Sequence, residues 1–111
     1  MNARASEVAE MARHAGDAAT LLKALANEQR LLVLCALVDG AKSVGELNDR
    51  VDVSQSALSQ HLAVLREAGI VTTRREAQTI WYALAEGPAQ AVMAALHASF
   101  CAPRRAGRRQ S

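Results

Sequence analysis

Residues 43–85 constrain this chain more than any other stretch, because two helix-start signals eleven residues apart are followed directly by two β-branched runs. Ser43-Val44-Gly45-Glu46 has the Ser-x-x-Glu form of a capping box, in which the hydroxyl and the carboxylate satisfy opposite sides of a first turn, so a short helix is predicted over 44–50. Val51-Asp52-Val53-Ser54 leaves room only for a tight connection. Ser54 then caps a second helix that continues to about Ala68 and stops at Gly69. This is a helix-turn-helix pattern. In the second helix Leu58, Leu62 and Leu65 recur at i, i+4 and i+7 and must face a core, which turns Ser56, Ser59, Gln60 and Ala63 outward. Residues 70–75 and 79–85 are rich in β-branched and aromatic side chains and flank Glu76-Ala77-Gln78, which predicts a two-stranded hairpin.

The flanks supply helices. Over 3–26 the residues Val8, Met11, Ala12, Ala15, Ala19, Leu22 and Leu25 recur at helical spacing, giving one long amphipathic helix with a bend expected at Gly16. Leu31 to Val38 form an eight-residue apolar run that reads as a helix enclosed on most sides and ends at Asp39-Gly40. Gly87-Pro88 opens a last helix that carries Val92, Ala95, Leu96 and Phe100 and ends near Cys101, before Pro103. The fold class predicted is mainly α with one β-hairpin: a winged helix-turn-helix with four helices, the hairpin and a C-terminal fifth helix. One domain is expected over 1–103, with a basic disordered tail over 104–111. The apolar faces of the first and last helices call for a covering partner, so a homodimer is expected.

Function follows from the outward stripe. A helix-turn-helix with a wing presents its second helix to the major groove and its hairpin to phosphates or the adjacent minor groove of double-stranded DNA. Gln55 and Gln60 can donate and accept at adenine edges, Ser56 and Ser59 can bond to bases or phosphates, and His61 lies at the margin of the stripe. Arg66 near the end of the reading helix and Arg74 and Arg75 on the wing are the phosphate partners, and strand alternation allows only one of the two wing arginines to meet DNA directly. A two-fold dimer would read a palindromic operator. Whole-chain basicity is no argument for this: Arg104, Arg105, Arg108 and Arg109 account for the formal charge of +2, and the remainder holds nine basic against eleven acidic residues.

Other function classes find little support. A chain of 111 residues has little volume for an enclosed substrate pocket, and it lacks Cys-x-x-Cys and any phosphate loop. An enzyme is not expected. The longest apolar run is far below the ~18 residues of a membrane span, and the first twenty residues lack the apolar core of a secretory signal, so a cytoplasmic protein is expected, at the nucleoid when bound to its operator. No cofactor is called for, and His14 and His97 read as isolated surface or packing residues. Cys35 and Cys101, read from composition alone, are small buried hydrophobes of low reactivity.

Several segments together resemble the ArsR/SmtB family of bacterial dimeric repressors: Arg30-Leu31-Leu32, Val44-Gly45-Glu46-Leu47, the run from Ser54 through Gln55, Ser56, Ser59, Gln60 and His61 to Leu62, Leu65-Arg66-Glu67-Ala68-Gly69-Ile70-Val71, and Arg74-Arg75 followed by Tyr82-Ala83-Leu84. The resemblance spans about residues 17–101 and implies a winged-helix homodimer that leaves its operator when an inducer binds or reacts. The wing departs from the family pattern in lacking a turn glycine. Many members sense metals, but the cysteines beside the Glu-Leu segment and the Asp/Glu/His set of the last helix are both missing, so neither family metal site is expected. The segments around Cys35 and Cys101 resemble the two-cysteine branch of the family. That resemblance implies that the pair senses persulfide, sulfide-derived or oxidative signals, with reduced thiols permitting DNA binding and a disulfide or polysulfide bridge releasing it. The rival readings are a metal-responsive repressor using another site and a thiol enzyme that passes persulfide sulfur.

Overall fold

The structure is a computed structural model and describes residues 3–101; the expected tail at 104–111 and the stop at Pro103 lie outside the described residues. Helix α1 (Ala3–Leu25) runs through Gly16 as one element, and among its described side chains those that reach the core, Leu21, Ala24 and Leu25, lie in its C-terminal part. Helix α2 (Glu28–Ala36) begins three residues before the apolar run that predicted it, because Asn27 caps it: the Asn27 Oδ1 accepts from the Arg30 amide at 3.0 Å. The Arg30 Nε also donates to the Ala24 carbonyl at 2.7 Å, which satisfies a carbonyl at the end of α1 and fixes the corner between the helices.

Strand β1 (Lys42–Ser43) leads into helix α3 (Val44–Arg50), and helix α4 (Gln55–Glu67) is followed by β2 (Val71–Glu76), β3 (Thr79–Leu84) and α5 (Pro88–Phe100). Both halves of the predicted capping box form: the Glu46 amide donates to the Ser43 Oγ at 3.2 Å, and the Ser43 amide donates to the Glu46 Oε1 at 3.0 Å. The Ser54 Oγ accepts from the Ala57 amide at 3.1 Å and starts α4.

The sheet has three strands in the order β1-β3-β2 rather than the expected two, since Lys42 pairs with Tyr82 and Ser43 with Trp81. A two-residue strand carries no periodicity to read. It is held by Lys42, which is buried yet ion-paired: its Nζ meets the Asp39 carboxylate at 2.8 Å and the Gly40 carbonyl at 3.3 Å. That ammonium holds the Asp39 carboxyl below its ordinary pKa.

At the wing tip Glu76 pairs with Thr79, leaving Ala77 and Gln78 as a two-residue turn. Ala77 adopts φ 56, the left-handed conformation that such a turn demands and that glycine supplies without a Cβ penalty of about 1–2 kcal/mol. The missing glycine therefore leaves the hairpin intact, with local strain at its tip.

Val33, Leu34, Leu47, Leu58, Leu62, Leu65 and Ile70 are fully buried where the helix-turn-helix meets α2 and the sheet. Each such side chain removed from water contributes about 1.5–3 kcal/mol, which fixes the orientation of α4 against the rest of the domain. Val8, Met11 and Leu22 on α1, Leu32 on α2 and Phe100 on α5 remain exposed. Among the described residues no helix is long and apolar enough to cross a membrane.

Candidate nucleic-acid interface and thiol cluster

Burial of Leu58, Leu62 and Leu65 turns the opposite side of α4 outward, and Gln55, Ser56, Ser59, Gln60 and Arg66 are all exposed on it. These residues leave no long side chain between the helix backbone and an approaching groove except the two glutamines and the arginine. His61, at the margin of the stripe, is half-buried, and its Nε2 lies 2.8 Å from the Gln29 Oε1 at the start of α2. The imidazole thus joins the reading helix to α2.

The strand register sorts the wing arginines. Arg75 lies opposite Ile80 and Arg74 opposite Trp81, so they occupy different faces of the hairpin. Arg75 shares its face with Thr73 and Tyr82, and Tyr82 lines a concavity together with Ser59, Ala63 and Arg66 of α4. Arg75 is therefore on the side that continues the reading helix. Arg74 lies on the other face, where its Nε donates to the Glu76 carboxylate at 3.1 Å.

The two cysteines, sixty-six positions apart in the chain, come together where α2 packs against α5. The sulfurs of Cys35 and Cys101 and a ring nitrogen of His97 all lie within 4.8 Å of one another. They open onto a cavity of about 210 Å³ whose remaining walls are Leu31, Leu32, Met93, Leu96 and Phe100. Cys35 is half-buried and Cys101 is exposed, and neither is bridged. Burial pushes the Cys35 thiol above its ordinary pKa, and the hydrogen bond and charge of Cys101, followed by the charge of Asp39, push it further the same way.

His97 corrects the sequence expectation of an isolated packing residue. It lies four positions before Cys101 on α5, and the Cys101 amide still donates to the His97 carbonyl at 2.8 Å, so helical geometry stacks the two side chains on one face. That spacing was the available signal. His14 stands elsewhere, on the rim of a separate cavity between α1 and the start of α5.

Comparison with known proteins agrees with this architecture. The family model for bacterial regulatory protein, arsR family, matches residues 27–73, from the cap of α2 into β2. The transcriptional activator HlyU of Vibrio cholerae is 52% identical over 92 residues, which cover 83% of this chain and 85% of that protein. The chain belongs to the ArsR family of bacterial regulatory proteins. The biofilm growth-associated repressor of Agrobacterium fabrum is 54% identical over 93 residues, covering 84% of this chain and 80% of the relative. Among solved structures, reduced HlyU from Vibrio cholerae superposes with a TM-score of 0.78 over 83% of this chain and 97% of that one. The transcriptional repressor BigR from Xylella fastidiosa, 46% identical, gives 0.75 over 85% of this chain and 96% of that one. This ArsR-family member is thus a winged-helix transcriptional regulator and not an enzyme, and regulators of the family bind operator DNA and are typically dimeric.

Proposed function

We propose that this ArsR-family regulator is a homodimeric repressor of a palindromic operator, released when Cys35 and Cys101 are bridged by reactive sulfur or an oxidant. The observation that carries this reading is the approach of the two sulfurs to within 4.8 Å across the α2–α5 contact. A direct disulfide needs the sulfurs at about 2.05 Å, so closure draws the two helices together, whereas an inserted sulfur atom spans more of the gap and asks for less movement. Either bridge constrains α2, which also holds the reading helix through the Gln29–His61 hydrogen bond.

The chemistry balances. The thiolate of Cys101 attacks the outer sulfur of a hydropersulfide, RSSH, forming the Cys101 persulfide and releasing RSH. Attack by the Cys35 thiolate on the Cys101 sulfur then gives the disulfide and releases hydrogen sulfide. A trisulfide forms when a second RSSH has first converted Cys35 to its persulfide; the two persulfides join with loss of one hydrogen sulfide, and two RSH are released overall. Exposure favours Cys101 as the first nucleophile, and the raised pKa of Cys35 keeps it protonated and so leaves it the second to react.

Gln55, Ser56, Ser59 and Gln60 read base edges, while Arg66 and Arg75 neutralise phosphates; His61 positions α4 through Gln29. The exposed Val8, Met11 and Leu22 of α1 and Phe100 of α5 supply the dimer contact. A change in operator affinity of several-fold to about a hundredfold needs coupling of only ~1–3 kcal/mol. Cys35→Ser and Cys101→Ser should each keep operator binding in a gel-shift titration and lose release by a persulfide donor. Normal release of either variant would sink the two-thiol mechanism.

A further inference from the structure

We infer that Cys35, His97 and Cys101 together form a binding site for a soft monovalent metal ion, copper(I). Three chemically suitable ligand atoms, two sulfurs and one imidazole nitrogen, converge within 4.8 Å of one another from two different helices. Soft-metal bonds to thiolate and imidazole run about 2.0–2.3 Å, which puts ligand atoms roughly 3.5–4 Å apart around a shared ion. From spacings within 4.8 Å, each pair of ligand atoms has to close by no more than roughly 1.3 Å. Side-chain rotation, freest at the exposed Cys101 at the end of α5, is enough for a shift of that size.

The surroundings select the ion. Leu31, Leu32, Met93, Leu96 and Phe100 form the other walls, so no carboxylate, hydroxyl or amide side chain among the described residues lines the cavity to complete a four-ligand shell. Three ligands with two thiolates in a mostly apolar recess suit copper(I), which accepts low coordination and soft donors; closed zinc(II) sites take four protein ligands, and zinc(II) here would have to draw its fourth ligand from solvent. Binding exchanges two thiol protons for one cation, leaving a single negative charge that the solvent-facing Cys101 side keeps hydrated. Burial of Cys35 makes loss of its proton costly in the free protein, and the metal supplies the compensating charge. The same ion occupies the sulfurs that a reactive-sulfur bridge would use, so metal loading and bridging exclude one another.

The test is an anaerobic titration of the fully reduced chain with copper(I) against the chromophoric chelator bicinchoninate, with X-ray absorption on the loaded protein. We expect one copper per chain, two sulfur scatterers and one nitrogen scatterer. Cys35→Ser should lose the ion to the chelator, and His97→Ala should weaken binding at least about tenfold and remove the nitrogen scatterer. His97→Ala that still binds its operator serves as the fold control; should it lose operator binding, His97→Gln takes its place, with the same loss of imidazole scattering expected. Unchanged affinity and scattering without the imidazole would reduce the site to two adventitious thiols and overturn the assignment. So would tighter retention of zinc(II) than of copper(I) when both are offered against competing chelators. These readouts do not depend on operator release, so the metal site and the sulfur switch can fail separately. If both hold, the copper-loaded chain resists bridging by a persulfide donor.

Discussion

Cys35 and Cys101 differ in what their surroundings let them do. Cys35 lies half inside the α2–α5 contact, and burial before anything else keeps its proton on; the nearby Cys101 and the charge of Asp39 act in the same direction. A thiol whose pKa is raised has a smaller thiolate fraction at neutral pH, so its reaction with an alkylating agent is slower there and keeps climbing as pH rises beyond the ordinary thiol range. Cys101, open to solvent, should be labelled first by iodoacetamide at neutral pH, with Cys35 catching up only in alkaline solution. Cys101→Ala removes two of the raising influences on Cys35 but not burial, the largest. The alkylation profile of Cys35 should therefore move to lower pH and still lie above that of an unstructured cysteine peptide. Peptide mass spectrometry across a pH series reads this directly, and a Cys35 profile unaffected by Cys101→Ala would mean that the two sulfurs do not interact.

Elements show where sequence reasoning is strong. The capping box at Ser43, the Ser54 cap and the Leu58/Leu62/Leu65 stripe are local signals with one physical meaning each, and α3 and α4 form where those signals put them. Asn27 is as good a cap, but the apolar run from Leu31 drew the helix start too late. β1 is too short for a period, and only its pairing with β3 defines it. The nearness of His97 to Cys35 depends on how α2 and α5 pack, which no local pattern encodes; the His97-x-x-x-Cys101 spacing showed half of it. The wing is the mixed case. Alternation along β2 puts Arg74 and Arg75 on opposite faces, and the position of Tyr82 beside α4 is what favours Arg75 as the proposed phosphate partner. Arg75→Ala should weaken binding to all DNA sequences alike and lower the salt slope by about one per chain, the loss of one phosphate contact. Arg74→Ala, whose guanidinium is already held by Glu76, should change both far less. Fluorescence anisotropy at several salt concentrations separates them, and a larger slope change from Arg74→Ala would reverse the wing face that meets DNA.

At the scale of the whole molecule the question is how a slightly acidic body holds a polyanion. Apart from the four arginines after Pro103 the chain has more acidic than basic residues, so general attraction cannot supply the affinity. What remains is placement: in the proposed dimer, each chain offers α4, Arg66 and Arg75 to one of two half-sites, with α1 and α5 as the proposed contact. Half-sites about 34–36 Å apart then make the two heads act together, and neither head alone carries enough contacts for tight binding. In this arrangement the four terminal arginines add attraction without direction. A chain ending at residue 103 should bind all DNA more weakly and show a flatter salt dependence, because up to four phosphate contacts per chain are lost, yet prefer the same operator sequence. Anisotropy titrations of operator and scrambled DNA at matched salt give both quantities from one experiment. If truncation lowered the ratio of operator to scrambled affinity, the terminal arginines would be reading sequence or groove shape, and the discrimination assigned to α4 would have to be shared with them.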